Sequence, residues 1–397
     1  MRRLLPWGLA LLLSGCIPQE PRPVPPKPFQ FRRLDLSQND ARGRRLWELQ
    51  SPRAQYSLDQ RQATVEGPRG RLFHQGAPAY AISARQGVVI KDGEQVQLNG
   101  DVSLRTLDGR QVLIRGQQAV WRPAAHTIDL TGEPVAEEGR QRLTAASARF
   151  HTADERLELT GQPRLRIWDQ APLGRGPASV DVAIQNGAWN TANGQLTAAG
   201  PVNGLQRRGQ GRPDRQLTAS ALEGNTREDW LDLLAPVTMA DPGEQSSLKA
   251  ERSRWWYRQN RITTEAPAQA TVRQLSIAGA DVEVRQNERQ IRVGRSCQLI
   301  QPKESLRADR CLWNWGTGAL QADGSVELRR SSMRQVTRAA TLQGTTDARG
   351  QVTVAAPGQR VTTVIEVPPG RQRPPAAGPT PPAATPTPPA SPRAIVF

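Results

Sequence analysis

The cysteines are the residues of this sequence whose positions most clearly suggest chemistry. The chain has three cysteines. Two of them, Cys297 and Cys311, flank the polar stretch Gln301 to Ser305, and both fall on the apolar face of the strands predicted on either side of it. The two thiols could therefore face each other across a hairpin. In an exported chain they would meet an oxidising compartment, where a disulfide closing a loop of this size stabilises the fold by about 3 kcal/mol. The alternative is two buried free thiols.

The third cysteine, Cys16, follows a short apolar segment at the start of the sequence. Residues 1–15 read as a lipoprotein signal peptide, with a basic start and an apolar core that ends in Leu13-Ser14-Gly15. The run Leu13 to Cys16 matches a lipobox, so we expect cleavage before Cys16 and lipidation of its thiol, which anchors the chain to a membrane. An uncleaved anchor and an ordinary signal peptide are the alternatives. Residues 16–28 form a proline-rich spacer.

Nothing else in the sequence predicts catalysis. His74, His126 and His151 are isolated, and neither a G-x-x-x-x-G-K-[ST] phosphate loop nor a G-x-S-x-G elbow occurs. Acidic pairs such as Glu137-Glu138 lie in turns, where charge is expected. We therefore predict no enzyme activity, no metal site and no cofactor.

A repeated pattern organises the rest of the chain. Its clearest copy has small and apolar residues at positions 143, 145, 148 and 150, followed after a polar gap by Leu157, Leu159, Gly161 and Pro163. The same frame recurs from Leu49 to Val326 with a period of roughly 30 residues, which is typical of stacked repeats.

The spacing within each repeat predicts β-hairpins. The second half alternates apolar and polar residues, as a strand with one buried face does. The first half steps by two, three and two, and a step of three predicts a bulge or kink near each alanine position. The glycine in phase with the apolar face suits a sharp bend. No helical stripe is present, so the predicted fold class is all-β, built from hairpins of about 30 residues.

Composition favours a slender, two-layered body with a basic surface. Hydrophobic residues make up 37% and aromatic residues 5% of the chain, and the formal net charge is +16. The charge suggests anionic lipids or glycolipids as partners rather than nucleic acid, although a solvated basic face explains it equally well. Polar gaps at 171–178 and 207–215 predict loops or hinges, and residues 368–397 predict a disordered proline-rich tail.

Several motifs resemble a known family. The stretch from Phe29 to Trp168 contains Trp47-Glu48-Leu49, Pro52-Arg53-Ala54 and Leu98-Asn99-Gly100-Asp101-Val102, and it resembles the LptC family of periplasmic lipopolysaccharide-export proteins. The repeated frame is similar to the wider OstA-like superfamily, which includes the bridge protein LptA. The resemblance implies an elongated, folded-over antiparallel β-jellyroll of two sheets meeting in a V. It divides the body into an LptC-like part, 29–170, and continuing OstA-like repeats, 171–367.

The resemblance also implies a function and partners. Such a protein accepts lipopolysaccharide from the permease subunits of an inner-membrane ABC transporter and passes it to an LptA-like jellyroll that adds edge to edge. This would place the chain in a Gram-negative envelope, on the periplasmic face of the inner membrane, with the outer membrane as an alternative. The chain departs from the family in its lipobox, its greater number of repeats and its tail. A structural or adhesive β-solenoid lipoprotein is the alternative function.

Acyl chains would lie between the two sheets, against the apolar face of the strands. The residues predicted to line this groove share that face, and the alternative is that they form only a closed core. They are Val65, Leu98, Leu113, Trp121, Ile128, Leu130, Leu143, Phe150, Leu157 and Leu159.

Overall fold

The computed structural model describes residues 29–57, 61–169, 172–209, 211–346, 352–355 and 362–365. The signal peptide 1–15, the lipidation of Cys16, the spacer 16–28 and the tail 368–397 lie outside the described residues. The described chain is almost entirely β-strand, and its only helices are short 3-10 turns at Lys91–Gly93, Pro123–Ala125, Pro242–Glu244 and Ser331–Met333. No helix in the described ranges has the length and apolar character needed to cross a membrane.

The chain forms two compact units. Unit 1 runs to Arg207 and also includes Ser220–Asp229, whereas unit 2 comprises Arg208–Ala219 and the chain from Trp230 onwards. The strands up to residue 207 are β1 Gln30–Phe31, β2 Leu34–Asn39, β3 Arg45–Ser51, β4 Arg53–Tyr56, β5 Gln62–Glu66, β6 Arg69–His74, β7 Ala77–Ser83, β8 Gln86–Ile90, β9 Gln95–Thr106, β10 Leu113–Arg122, β11 Thr127–Thr131, β12 Val135–Glu138, β13 Gln141–Thr144, β14 Ser147–His151, β15 Arg156–Thr160, β16 Arg164–Ile167, β17 Val180–Ala183, β18 Asn186–Asn190 and β19 Gln195–Gln206.

The remaining strands follow the same pattern. They are β20 Arg215–Asn225, β21 Trp230–Leu234, β22 Val237–Asp241, β23 Ser246–Ala250, β24 Ser253–Trp256, β25 Arg261–Thr264, β26 Ala268–Val272, β27 Leu275–Arg285, β28 Gln290–Ile300, β29 Glu304–Ala308, β30 Arg310–Asn314, β31 Ala319–Arg330, β32 Gln335–Thr346, β33 Val352–Ala355 and β34 Thr362–Ile365. Strand β20 is shared, because its residues 215–219 belong to unit 2 and its residues 220–225 to unit 1.

Unit 1 contains two antiparallel sheets that share their longest strands. Sheet A has the order β1, β4, β5, β8, first half of β9, second half of β10, β11, β14, β15, β18 and first half of β19. Sheet B has the order β2, β3, β6, β7, second half of β9, first half of β10, β12, β13, β16, β17 and second half of β19. The chain therefore bends from one sheet to the other within a long strand or between two short ones.

Unit 2 repeats this arrangement. Sheet C has the order β21, β24, β25, second half of β27, first half of β28, β30, first half of β31, second half of β32 and β33. Sheet D has the order β20, β22, β23, β26, first half of β27, second half of β28, β29, second half of β31, first half of β32 and β34. The prediction of an all-β, folded-over antiparallel jellyroll is confirmed.

The predicted irregularities mark the bends between sheets. In β10 the register shifts between Gly116 and Gln118, and in β27 it shifts between Ala278 and Ala280, where the sequence steps by three. The frame glycine at position 161 has a φ of +78°, a left-handed backbone conformation that residues other than glycine rarely adopt. We call this side of each unit the bend side, and the opposite side, where turns connect strands of one sheet, the mouth.

Candidate functional site

The inner face of sheet A carries two adjacent rows of apolar residues. Residues directly opposite each other on neighbouring strands point to the same face, so the strand register defines each row. The row nearer the bend is Val65, Gly87, Leu98, Ala119, Leu130, Ala148 and Leu159. The row nearer the mouth is Ala63, Val89, Val96, Trp121, Ile128, Phe150 and Leu157. The face is therefore continuously apolar across seven strand segments.

Sheet B supplies the opposite wall. Its matching row is Leu49, Gly70, Ile82, Leu104, Ile114, Ala136, Leu143 and Leu165. Two aromatic pairs join the walls near the mouth. The rings of Trp47 and Trp121 lie edge to face with centroids 5.3 Å apart, and those of Tyr80 and Phe150 lie edge to face at 5.2 Å. The interior is thus filled by side chains from both sheets.

The structure brings nine of the ten predicted groove residues into this interior. Each of the nine has at most 3% of its surface exposed, and eight lie on sheet A while Leu143 lies on sheet B. Leu113 is the exception, since it is only partly buried whereas Val112 and Ile114 are each 1% exposed. Residues 112–114 are all apolar, so the sequence does not indicate which of them point into the interior. The pairing of Ile114 with Leu104 decides this. Leu113 therefore lies outside the interior set.

An ion pair spans the mouth of unit 1. Arg110, in the turn between β9 and β10 of sheet B, donates to both carboxylate oxygens of Glu155, in the turn between β14 and β15 of sheet A, at 2.7 and 3.0 Å. Arg110 also donates to the carbonyl of Thr191 at 2.9 Å. Burial raises the pKa of Glu155, but hydrogen bonds from Arg110 and Tyr80 outweigh this effect and leave that pKa below its usual value. The carboxylate is therefore held in its charged form.

A second polar contact spans the same mouth further along the sheets. Arg227 donates to Glu138 of sheet B at 2.8 Å and to the carbonyl of Thr191 at 2.7 Å. Beside it, the side-chain amide of Gln141 donates to the carbonyl of Thr226 at 2.6 Å. Sequence reasoning missed Arg110, Glu155, Arg227 and Glu138, because charged residues in or next to turns look solvated when their partners are distant in sequence. The pair Glu137-Glu138, expected in a turn, forms the end of strand β12.

The contacts that hold the mouth are made by side chains. Opening the walls there would break the ring contacts of Trp47 and Tyr80 and the ion pairs of Arg110 and Arg227, whereas the strand ladders of both sheets run along the walls. Such an interior can take up an apolar guest if these contacts open. Within the described residues, no cluster of three metal-ligating side chains occurs.

In unit 2, the disulfide predicted from the sequence joins the two walls. Cys297 and Cys311 are bonded, with Cα atoms 6.0 Å apart and exposed fractions of 1% and 3%. They do not pair across a hairpin: Cys297 lies opposite Ala308 in sheet D, and Cys311 lies opposite Val293 in sheet C. The bond therefore links the sheets close to the bend.

Many of the arginines form ion pairs on the outer faces of the two sheets. Asp129 accepts from Arg122 and Arg149, and Glu137 accepts from Arg115 and Arg142 on neighbouring strands. Burial raises the pKa of Asp129, but the two guanidinium groups outweigh it and lower that pKa overall. Each of these two carboxylates thus pairs with two arginines, which leaves a surplus of positive charge on the outer face.

A comparison with protein families finds one match, in the first part of the chain. Residues 7–128 match the family described as "Lipopolysaccharide-assembly, LptC-related". This segment contains Val65, Leu98, Leu113, Trp121 and Ile128 and ends before the other five predicted groove residues, so it is shorter than the stretch from Phe29 to Trp168 that the sequence motifs suggested. No curated protein matches the chain significantly. The relationship to the LptC-related family is therefore carried by residues 7–128.

Proposed function

We propose that this protein accepts lipopolysaccharide from an inner-membrane ABC transporter and passes its acyl chains between sheets A and B towards the outer membrane. The LptC-related segment supports a role in lipopolysaccharide transport. The observation that carries the proposal is the continuous apolar interior of unit 1, which is closed at its mouth by side-chain contacts.

The energies of opening and filling the interior are comparable. Each partly buried ion pair or aromatic pair at the mouth contributes on the order of 1–2 kcal/mol. Burying an acyl chain contributes about 0.8 kcal/mol per CH₂ group, so ten such groups contribute about 8 kcal/mol. A guest with several acyl chains can therefore offset the loss of the Trp47 and Tyr80 ring contacts and of the Arg110 ion pair.

Strand edges provide the proposed way for partners to join. Among the described residues, β2 pairs with β3 alone, and its backbone groups on the other side lie at the edge of sheet B. An LptA-like jellyroll, or the periplasmic part of the transporter permease, could add a strand there. We further propose that lipidation of Cys16 and the spacer 16–28 hold the protein on the periplasmic face of the inner membrane.

Site-specific photocrosslinking in living cells tests the proposal. A photoreactive residue at Leu130 or Leu157, both inside the apolar interior, should capture lipopolysaccharide, whereas the exposed position Thr131 on the same strand as Leu130 should not. Depletion of the protein should reduce surface lipopolysaccharide. Capture at neither interior position, together with normal outer-membrane assembly after depletion, would favour the structural or adhesive alternative.

A further inference from the structure

An open cavity lies on the bend side of unit 1, where sheets A and B begin. Its volume is about 790 Å³, and its lining comes mainly from the junctions at which the chain passes between the two sheets. Backbone hydrogen bonds connect these junctions, from the Gly67 amide to the Arg85 carbonyl at 2.7 Å and from the Arg85 amide to the Gly100 carbonyl at 2.9 Å. The bends therefore hold the wall of the cavity in place.

Four of the residues that line this cavity are arginines, and one is acidic. The arginines are Arg32, Arg33, Arg69 and Arg85, all of them exposed, and the acidic residue is Asp101. Arg85 pairs with Asp101 at 3.1 Å, and Arg33 pairs with Asp35 at 2.8 Å. Among the described residues, no carboxylate pairs with Arg32 or Arg69. This cavity, which we call the arginine cleft, therefore presents a surplus of positive charge to an anionic partner.

The position of these arginines follows the succession of bends. Arg53, Arg69 and Arg85 occupy the same position of three successive bends, at equal spacing in the sequence. The same position of the next three bends holds no cation and is occupied by Asp101, Gln117 and Glu133. Positive charge at this position is therefore confined to the N-terminal end of unit 1, which follows the spacer 16–28.

Two exposed aromatic rings precede the arginine cleft in the chain. Phe29 and Phe31 are 56% and 48% exposed, and Arg32 follows them directly. At a membrane surface, phenylalanine rings enter the boundary between headgroups and acyl chains, and cationic side chains attract anionic headgroups. A soluble anion would use the guanidinium groups but not the rings. The combination of exposed rings and unpaired guanidinium groups thus favours a lipid surface as the partner.

The arginine cleft also lies close to the proposed membrane anchor. The chain from Cys16 to Phe29 spans at most about 45 Å when fully extended, and Arg32 lies just beyond it. Basic residues act on an anionic membrane only at short range, since the attraction falls off within a Debye length of about 8 Å at physiological ionic strength. Attachment at Cys16 would therefore bring the cleft to the distance at which its charge acts.

We propose that the arginine cleft binds the phosphate groups of anionic phospholipids in the leaflet that holds the anchor. Arg32 and Arg69 pair with the phosphates, and Phe29 and Phe31 enter the interface beside them. The inference rests on the membrane attachment included in the proposed function, but not on the passage of acyl chains between sheets A and B. Binding in the cleft holds the N-terminal end of unit 1 against the membrane surface.

Flotation with lipid vesicles tests the cleft. The mature chain from residue 17 onwards lacks the acyl anchor, so its partition reports its own surface. It should bind vesicles of phosphatidylglycerol and phosphatidylcholine at least about tenfold more tightly than vesicles of phosphatidylcholine alone. Raising the ionic strength from about 0.1 M to about 1 M, which shortens the Debye length from about 10 Å to about 3 Å, should remove most of this preference. Equal partition into both vesicles would overturn the proposal, as would equally tight binding of soluble glycerol 3-phosphate.

Variants assign the binding to the cleft rather than to the overall charge. The Arg32→Gln, Arg69→Gln double variant should weaken partition into the phosphatidylglycerol vesicles by at least about tenfold. The matched control is Arg42→Gln, Arg105→Gln, which removes the same charge from two exposed positions of unit 1 that do not line the cleft. Equal loss in the two double variants would overturn the proposal. If that result accompanied capture of lipopolysaccharide at Leu130, the cleft alone would be excluded and the proposed function would stand.

Discussion

Arg110 and Glu155 lie 45 residues apart in the sequence and on different sheets, yet two hydrogen bonds of 2.7 and 3.0 Å join them across the mouth of unit 1. Their side chains are 18% and 13% exposed, so water screens the pair only partly. The pair is therefore placed to control how easily the two walls separate.

Breaking this pair should destabilise unit 1 measurably. In a double-mutant cycle with Arg110→Ala and Glu155→Ala, we expect a coupling energy of about 1–2 kcal/mol, because the hydrogen bonds are charge-assisted and partly buried. Urea unfolding measures the four free energies. The matched control is Arg53 and Glu66, an ion pair with side-chain exposures of 76% and 57%, which should couple by less than about 0.5 kcal/mol. Equal coupling in the two cycles would contradict this role.

The same pair predicts how stability depends on pH. The pKa of Glu155 in the folded chain lies below its usual value of 4.5. A lowered carboxylate pKa stabilises the fold above the pKa of the unfolded chain, and this contribution is lost as pH falls through the folded pKa. The difference in unfolding free energy between the wild type and Glu155→Gln should therefore be largest at neutral pH and shrink under acidic conditions. A difference that stays constant with pH would exclude the effect.

The repeated frame predicted the fold because each part of it has a local physical cause. Alternation identifies the buried face, and the step of three identifies the bend, as the register shift at Gly116 shows. The sequence did not predict the positions of residues whose local pattern is ambiguous or whose contacting residues are distant in the chain. The run Val112-Leu113-Ile114 fits either phase, and only its pairing with sheet neighbours places Leu113 outside.

The polar features of both mouths show the limit of sequence reasoning more strongly. Arg110 and Glu155 look like ordinary turn residues until the facing of sheets A and B brings their turns together. In unit 2, Trp315 at the end of sheet C and Gln301 at the end of sheet D likewise line one cavity only because the two sheets face each other. The alternation of apolar and polar residues along one strand does not indicate which turn of the opposite sheet will lie against the turn that follows that strand.

The phase of β10 can be tested by truncating its Leu113 and, for comparison, the interior Leu130 of the neighbouring strand β11. Leu130→Ala, at a fully buried position, should cost about 2–5 kcal/mol, because it loses apolar burial and leaves a cavity. Leu113→Ala removes the same atoms from a partly buried position and should cost less than about 1.5 kcal/mol. Denaturant midpoints of the two variants give the comparison, and a larger cost at Leu113 would contradict the observed register.

The bend glycine at position 161 should resist substitution. Gly161 has a φ of +78°, and a Cβ atom there would lie 2.5 Å from the Cβ of Ala146. Gly139 also has a positive φ, of +58°, but open space surrounds its missing Cβ. Gly139→Ala should therefore cost about 1 kcal/mol for backbone strain alone, and Gly161→Ala should cost about 1–3 kcal/mol more because overpacking is added. Thermal unfolding of both variants measures this difference. Equal costs at the two positions would contradict the prediction and show that the bend relaxes around the added methyl group.

The disulfide gives the last prediction, which concerns unit 2. Cys297 and Cys311 close a loop with a sequence separation of 14 residues, and both are almost fully buried. Cross-linking a loop of this length should stabilise unit 2 by about 3 kcal/mol, chiefly by restricting the unfolded chain. The Cys297→Ala, Cys311→Ala double variant should therefore unfold at lower urea, and a thiol reductant should lower the wild-type midpoint without affecting that variant. If the reductant leaves the wild-type curve unchanged, although it reaches the unfolded chain, the two sulfur atoms are not bonded in solution.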